Sequence, residues 1–295
     1  MILNNKKYKF EENPFPILLV DLTKKCNLHC NVCYAKDLKI PEIDIVWFEN
    51  LVTKLPNKNV YFMLLGGEPT LSENFFNCID IILKYNHTPF ICTNGIKIGQ
   101  DITFVEKLES YNGKLKFHID MSGGLQSELY TKIHGNSQLL NYKLNALNNI
   151  EKYNLGKVSI SMILINNVND IFIDDIFKVS QRYNSIIEMF FRPQIKEGEF
   201  IEDDQKYTIN RTINLLLRKK LISKKDLGNI FLSGMTHEKC EGKHCCFKIF
   251  KNNKIIGFYN LFGQSCWQRG RIVSNRNYIK CYTADILSEF DKNRQ

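Results

Sequence analysis

The chain has 295 residues, 44% hydrophobic and 12% aromatic, enough for a sizeable core in one large α/β domain or two smaller ones. No apolar run approaches the roughly 20 residues that span a bilayer, and the opening "MILNNKKYKFEENPFP" has no secretory signal; a cytoplasmic protein without a membrane partner is expected. The net charge of +9 falls in residues 192–295, with 20 Lys+Arg against 11 Asp+Glu, so the basic third suits an acidic peptide or, less well, a nucleic acid.

Short apolar runs alternate with longer amphipathic ones through residue 192, the pattern of successive βα units on a parallel sheet. "PILLVDL" (16–22) reads as a buried strand, and "IDIVWFENLVTKL" (43–55) as a helix capped by Asp44. "VYFMLL" (60–65) is the second strand and "ENFFNCIDIILKY" (73–85) its helix, with Cys78 a core residue. "PFICTN" (89–94), the helical "DITFVEKLESY" (101–111), "LKFHIDMS" (115–122) and the helical "LLNYKLNALNNIEKY" (139–153) follow. "KVSISMILI" (157–165), a helix over 170–183 and "SIIEMFFR" (185–192) complete six units, which build an α/β barrel, whole or partial, or an open sheet. Beyond Pro193 the texture changes: a helix over 203–220 precedes a hairpin over 247–259 that turns at Asn252-Asn253. A boundary near residue 195 gives a region 1–195 and a basic, cysteine-rich α+β extension, 196–295.

The chemistry begins in "LTKKCNLHCNVCYA", after the first strand, where Cys26, Cys30 and Cys33 stand in a C-x3-C-x2-C pattern. Ten cysteines in a reducing compartment point to metal or redox chemistry rather than disulfides. Four ligands close a zinc site or a cubane cluster, so three thiolates on one loop leave a metal position open. After the second strand comes "LLGGEPTL", where Gly66 and Gly67 permit close backbone approach and Glu68 offers a carboxylate to an ammonium group. On the fourth strand His118, Asp120 and Ser122 share a face; Ser159 and Ser161 share one on the fifth, and Glu188 and Arg192 on the sixth. Recurrent polar residues on parallel strands point to a polar lumen. Glu188 and Arg192 are substrate-side candidates, with an ion pair between them as the plainer reading.

Together these residues resemble the radical S-adenosylmethionine (SAM) superfamily: Cys26, Cys30 and Cys33 match its cluster triplet, Tyr34 the aromatic that follows, and Gly66-Gly67-Glu68-Pro69 its Gly-Gly-Glu-Pro motif. The resemblance spans residues 16 to about 195 and includes "CTNG" (92–95). It implies a partial (β/α)6 TIM-type barrel and a 4Fe-4S cluster on the three cysteines. In the mechanism that the resemblance implies, SAM chelates the open iron and is cleaved, by one electron from a donor such as flavodoxin or ferredoxin, to a 5′-deoxyadenosyl radical that takes hydrogen from substrate. It further implies SAM contacts at Tyr34, Gly66, Gly67, Glu68, Asn94, Asp120, Ser122 and Ser161.

Cys240, Cys245, Cys246 and Cys266 frame the predicted hairpin, and Cys281 follows. Such framing resembles the extensions of radical SAM peptide maturases and implies a second, auxiliary iron–sulfur cluster, although the adjacent Cys245-Cys246 pair departs from the usual spacing. His237 and His244 are alternative ligands, zinc an alternative metal, and buried free thiols a third reading. The expected substrate is a ribosomally made peptide with an acidic leader; a nucleoside, tRNA or cofactor precursor is the alternative, and a non-enzymatic metal-binding scaffold the remote one.

Overall fold

The computed structural model describes residues 7–13, 16–33, 40–56, 59–193, 209–228, 246–259, 269–272 and 279–281. The chain forms two compact units: one comprises residues 1–27, 35–92 and 264–295, the other residues 28–34 and 93–263. Both therefore draw on chain from either side of residue 195.

In the first unit, β1 (Lys7–Tyr8), β2 (Ile17–Asp21), β3 (Tyr61–Leu65) and β4 (Thr88–Thr93) are joined by β10 (Arg269–Ile272) and β11 (Ile279–Cys281), in the order β1-β11-β10-β2-β3-β4. The pairs β10–β2, β2–β3 and β3–β4 are parallel. Leu18, Leu19 and Val20 are buried, as a strand covered on both faces requires. Asp44 caps α1 (Ile45–Thr53) by accepting a hydrogen bond from Trp47 N at 2.9 Å. The helix buries Phe48 edge-on against Phe62, centroids 5.7 Å apart, a burial that stabilises by about 2 kcal/mol per ring. On α2 (Phe75–Lys84) the buried face is Phe75, Cys78, Ile79 and Ile82, at helical spacing. Burial pushes the Cys78 thiol far up, so the expected core role holds.

In the second unit β5 (Leu115–Asp120), β6 (Gly156–Leu164) and β7 (Ile186–Pro193) run parallel, β9 (Lys254–Tyr259) pairs parallel with β7, and β8 (Cys246–Lys251) closes the hairpin. The turn falls at Asn252 and Asn253, with φ of 49° and 60°, the left-handed pair of a tight hairpin. Helices α3 (Ile96–Gln100), α4 (Ile102–Glu109), α5 (Ser127–His134), α6 (Leu139–Lys152), α7 (Asp174–Arg182), α8 (Ile209–Arg218) and α9 (Lys224–Leu227) belong here.

The predicted strands and long helices appear within a few residues of their expected ends. The expected helix over 170–183 opens as a 3-10 turn, Asp170–Phe172, before α7. The expected helix over 203–220 is described from Ile209, residues 203–208 lying outside the described chain. Helices α3, α5 and α9 and the small strands β1, β10 and β11 were not expected from the residue pattern. Among the described residues, no helix is long and apolar enough to cross a membrane.

Candidate active site

In the first unit the ladder of β2 and β3 continues past both strand ends into the cysteine loop. Leu22 N donates to Leu65 O (2.9 Å), Gly67 N to Thr23 O (2.7 Å) and Glu68 N to Lys25 O (2.8 Å). The glycines make this approach possible. A Cβ on Gly66, whose φ is +131°, would stand 2.3 Å from Thr23 O, and one on Gly67 would stand 2.4 Å from Lys25 O. What the glycine pair admits is the backbone of the cysteine loop itself. Glu68 is 2% exposed, and its Oε1 accepts from Thr70 N (3.2 Å) and Thr70 Oγ1 (2.7 Å), capping the turn that Pro69 begins. Cys26 is exposed.

In the second unit Cys30 and Cys33 are half-buried and share a turn in which Cys33 N donates to Cys30 O at 3.2 Å. Leu28 packs with Ile96, Tyr130 and Leu139, and Cys30 lies against this cluster. Asn31 N donates to Ile133 O and Asn31 Nδ2 to Lys132 O, each at 2.9 Å. The loop thus satisfies carbonyls that the end of α5 leaves open. His134, the last residue of α5, puts Nδ1 3.2 Å from Cys30 Sγ and Nε2 3.4 Å from Asp120 Oδ2.

The polar strand face is built as its periodicity predicted. His118 and Asp120 are half-buried while Phe117 and Ile119 are fully buried, and register sets His118 beside Ser159 and Asp120 beside Ser161. Ser122, just past the strand, donates to Asp120 Oδ1 through Oγ (2.7 Å) and to Oδ2 through N (3.1 Å). Its Oγ also accepts from Ile163 N at 2.9 Å. Ser161 Oγ lies 3.2 Å from His118 Nε2, and the His118 ring stacks on Phe190 at 4.9 Å. Burial pushes the Asp120 carboxyl up. The facing His134 ring and the charges of Lys143 and Arg192 outweigh this and hold it ionised, far below the usual carboxylate range. Asn94 accepts from Ile96 N through Oδ1 (2.9 Å), a local turn that leads into α3.

Two sequence expectations need correction or qualification. Glu188 does not pair with Arg192: its Oε1 takes Lys248 Nζ at 2.7 Å and its Oε2 takes Ser159 Oγ at 2.9 Å. Residues four apart on a strand stand about 13 Å apart, whereas Lys248 arrives beside Glu188 on the hairpin that pairs with β7. Tyr34, Cys240, Cys245 and Cys266, with His237 and His244, lie outside the described residues, and Cys246 is described only as the first backbone position of β8, in register with Tyr259.

Sequence reasoning missed His134 and Lys143. Lys143, on α6, is 1% exposed, with its ammonium 6.0 Å from the Tyr130 ring centroid. The available signal for His134 was its place just before Gly135, where a basic residue often ends a helix.

The chain is an α/β protein with a cysteine triplet after its first long strand, a glycine pair after the next and a polar face on β5 and β6. The family model of the radical SAM superfamily matches residues 20–179, and the chain belongs to that superfamily, one of enzymes that use a 4Fe-4S cluster and SAM. Over 159 residues it is 26% identical to the 7,8-dihydro-6-hydroxymethylpterin dimethyltransferase of Methanocaldococcus jannaschii, covering 51% of this chain and 30% of that protein. Over 201 residues it is 25% identical to a probable GTP 3′,8-cyclase of Pyrococcus abyssi, covering 64% of this chain and 62% of that one. The chain thus spans less than two-thirds of the length of either relative. Its fold is shared with Streptococcus suis SuiB, solved with the precursor peptide SuiA: TM-score 0.61, 14% identity, 91% of this chain and 60% of that one covered. The implied partial-barrel α/β class is therefore the observed one.

The residues present fit the family's cofactors in kind: Cys26, Cys30 and Cys33 are outside any disulfide, and Asp120 and Ser122 put a carboxylate and a hydroxyl at the end of β5. Among the described residues no three Cys, His, Asp or Glu side chains already converge on a metal position. Cys26 and the Cys30–Cys33 turn belong to different units.

Proposed function

We propose that Cys26, Cys30 and Cys33 hold a 4Fe-4S cluster whose open iron takes SAM, and that the protein is a radical SAM enzyme acting on a ribosomally made peptide. When bound, the two cofactors supply a 5′-deoxyadenosyl radical that takes hydrogen from the substrate, with the electron coming from a flavodoxin or ferredoxin. The observation that carries this reading is the triplet loop, fixed at Thr23–Lys25 by Gly66-Gly67-Glu68 and at Asn31 by α5. Gly66, Gly67 and Glu68 shape the SAM side of that loop, and Tyr34, next in sequence after Cys33, is the aromatic that would serve SAM. Asp120, Ser122 and Ser161 present acceptors and hydroxyls toward the ribose, and Asn94 holds the loop after β4. Glu188 and Arg192, on β7, are the residues assigned to the substrate side.

The peptide reading is supported by the fold shared with SuiB and by the basic residues 192–295, which suit an acidic leader. In the same reading, residues 196–295 form a functional extension in which Cys240, Cys245, Cys246 and Cys266 hold an auxiliary cluster. Anaerobic reconstitution with SAM and a strong reductant should yield 5′-deoxyadenosine, and none from the triple Cys26/Cys30/Cys33→Ala variant. Iron surviving in that variant supports the auxiliary cluster; none surviving removes it. Peptides encoded beside the gene should change mass or stereochemistry; unaltered peptides would remove the peptide reading.

A second reading, a nucleoside, tRNA or cofactor precursor as substrate, draws on the cyclase and dimethyltransferase relatives and on the same basic charge. It requires tRNA or nucleotide binding that weakens steeply with salt.

A further inference from the structure

His134 is 6% exposed, at the end of a helix that the cysteine loop itself ties down. Behind it Tyr130, one turn earlier on α5, stacks at 5.7 Å and 25°. Tyr130 is itself pinned by its hydroxyl, which donates to Gly124 O at 3.0 Å. Below it the helix stops at Gly135, whose φ of +70° is the left-handed cap that ends α5 one residue past the histidine. In front, Asn31 ties the cysteine loop to the carbonyls of Lys132 and Ile133. The two ring nitrogens then face two different groups, Nδ1 the sulfur of Cys30 at 3.2 Å and Nε2 the carboxylate of Asp120 at 3.4 Å.

We propose that His134 is a positioning residue that donates a hydrogen bond from Nδ1 to the Cys30 sulfur. An iron-bound thiolate has no proton to give, so the bond that Cys30 can share with Nδ1 is one that Nδ1–H donates. A donor on a ligand sulfur draws electron density from it and favours the reduced cluster. His134 therefore raises the cluster's midpoint potential, its ring held by the stack on Tyr130. This inference rests on the cluster assignment above, and the test separates the two.

Iron counting on the reconstituted wild type decides the assignment first. Redox titration followed by electron paramagnetic resonance then compares three variants. His134→Asn places an amide N–H where Nδ1 stood and should keep a midpoint near wild type. His134→Gln places one where Nε2 stood, so it and His134→Ala should shift the midpoint to more negative values at unchanged iron content. Equal midpoints in wild type, His134→Gln and His134→Ala would overturn the proposal. A cluster-free measurement guards against variants that fold poorly and against a failed assignment. In 15N-histidine-labelled full-length protein, Cys30→Ala should move the His134 Nδ1 resonance and Asp120→Asn the Nε2 resonance. Resonances indifferent to both substitutions would also overturn it.

Discussion

The cysteine loop is held in two unlike ways. In the first unit Thr23 to Lys25 are joined to the glycine turn by backbone, through two amide–carbonyl hydrogen bonds that need glycine at positions 66 and 67, with Lys25 also paired to Glu73 through its side chain. In the second unit Cys30 and Asn31 are held largely by side chains, the Asn31 amide and the His134 ring, from a helix that could carry many other residues at those positions. The backbone grip admits almost no substitution and so leaves a readable motif. The side-chain grip is adjustable, which suits the part of the loop whose sulfur chemistry has to be tuned.

That contrast can be broken at either end. Gly67→Ala puts a Cβ into main-chain atoms at 2.4–2.8 Å; overpacking of this kind costs about 3 kcal/mol. Chemical denaturation should show that loss, and reconstituted iron should fall with it. On the other side Tyr130→Phe strands the buried Gly124 carbonyl and frees the ring behind His134, for about 1–2 kcal/mol. Its midpoint potential should move in the same direction as that of His134→Gln. Asn31→Ala removes only the Nδ2 bond to Lys132 O, about 1 kcal/mol, because the backbone bond to Ile133 O survives. Calorimetry should rank these three in that order.

Acid offers the mildest probe. The start of α5 rests on Asp175, which accepts from Leu125 N and Gln126 Nε2; Lys178 bridges Asp175 to Asp174. Burial raises the Asp174 carboxyl, but hydrogen bonds from Lys178 and Lys219 outweigh it and hold the pKa at about 2. A depressed carboxylate contributes stability above its unfolded value of about 3.9, and that contribution fades as pH falls toward 2. For a partly exposed pair this amounts to less than about 1 kcal/mol. Hydrogen exchange should show the Asn31 amide losing protection across that window while the Gly67 amide keeps its own.

How much was legible follows from the same physics. The parallel strands announced themselves as apolar runs, and Asp44 marked a helix start through the cap it forms. The polar face of β5 was visible because alternation survives in sequence. By contrast α5, "SELYTKIH", is eight residues between Gly123-Gly124 and Gly135-Asn136 and reads as loop. His134 stayed hidden with it, its sulfur partner lying 104 positions away. Lys248 was equally invisible as the partner of Glu188, since no periodicity reveals which hairpin residue a strand will meet. Local rules show what a segment becomes; they say little about which distant side chain arrives beside it.

The pairing of β10 with β2 carries a consequence for the order in which the protein is made. Ile17 lies opposite Arg269 and Val20 opposite Ile272, so one edge of an early strand waits for a partner roughly 250 residues later. At a ribosomal pace of about 5–20 residues per second, that apolar edge stays uncovered for tens of seconds, exposed to any other strand in reach. Yield of soluble protein should therefore depend on chaperone supply and on elongation rate more than the stability of the finished fold would suggest.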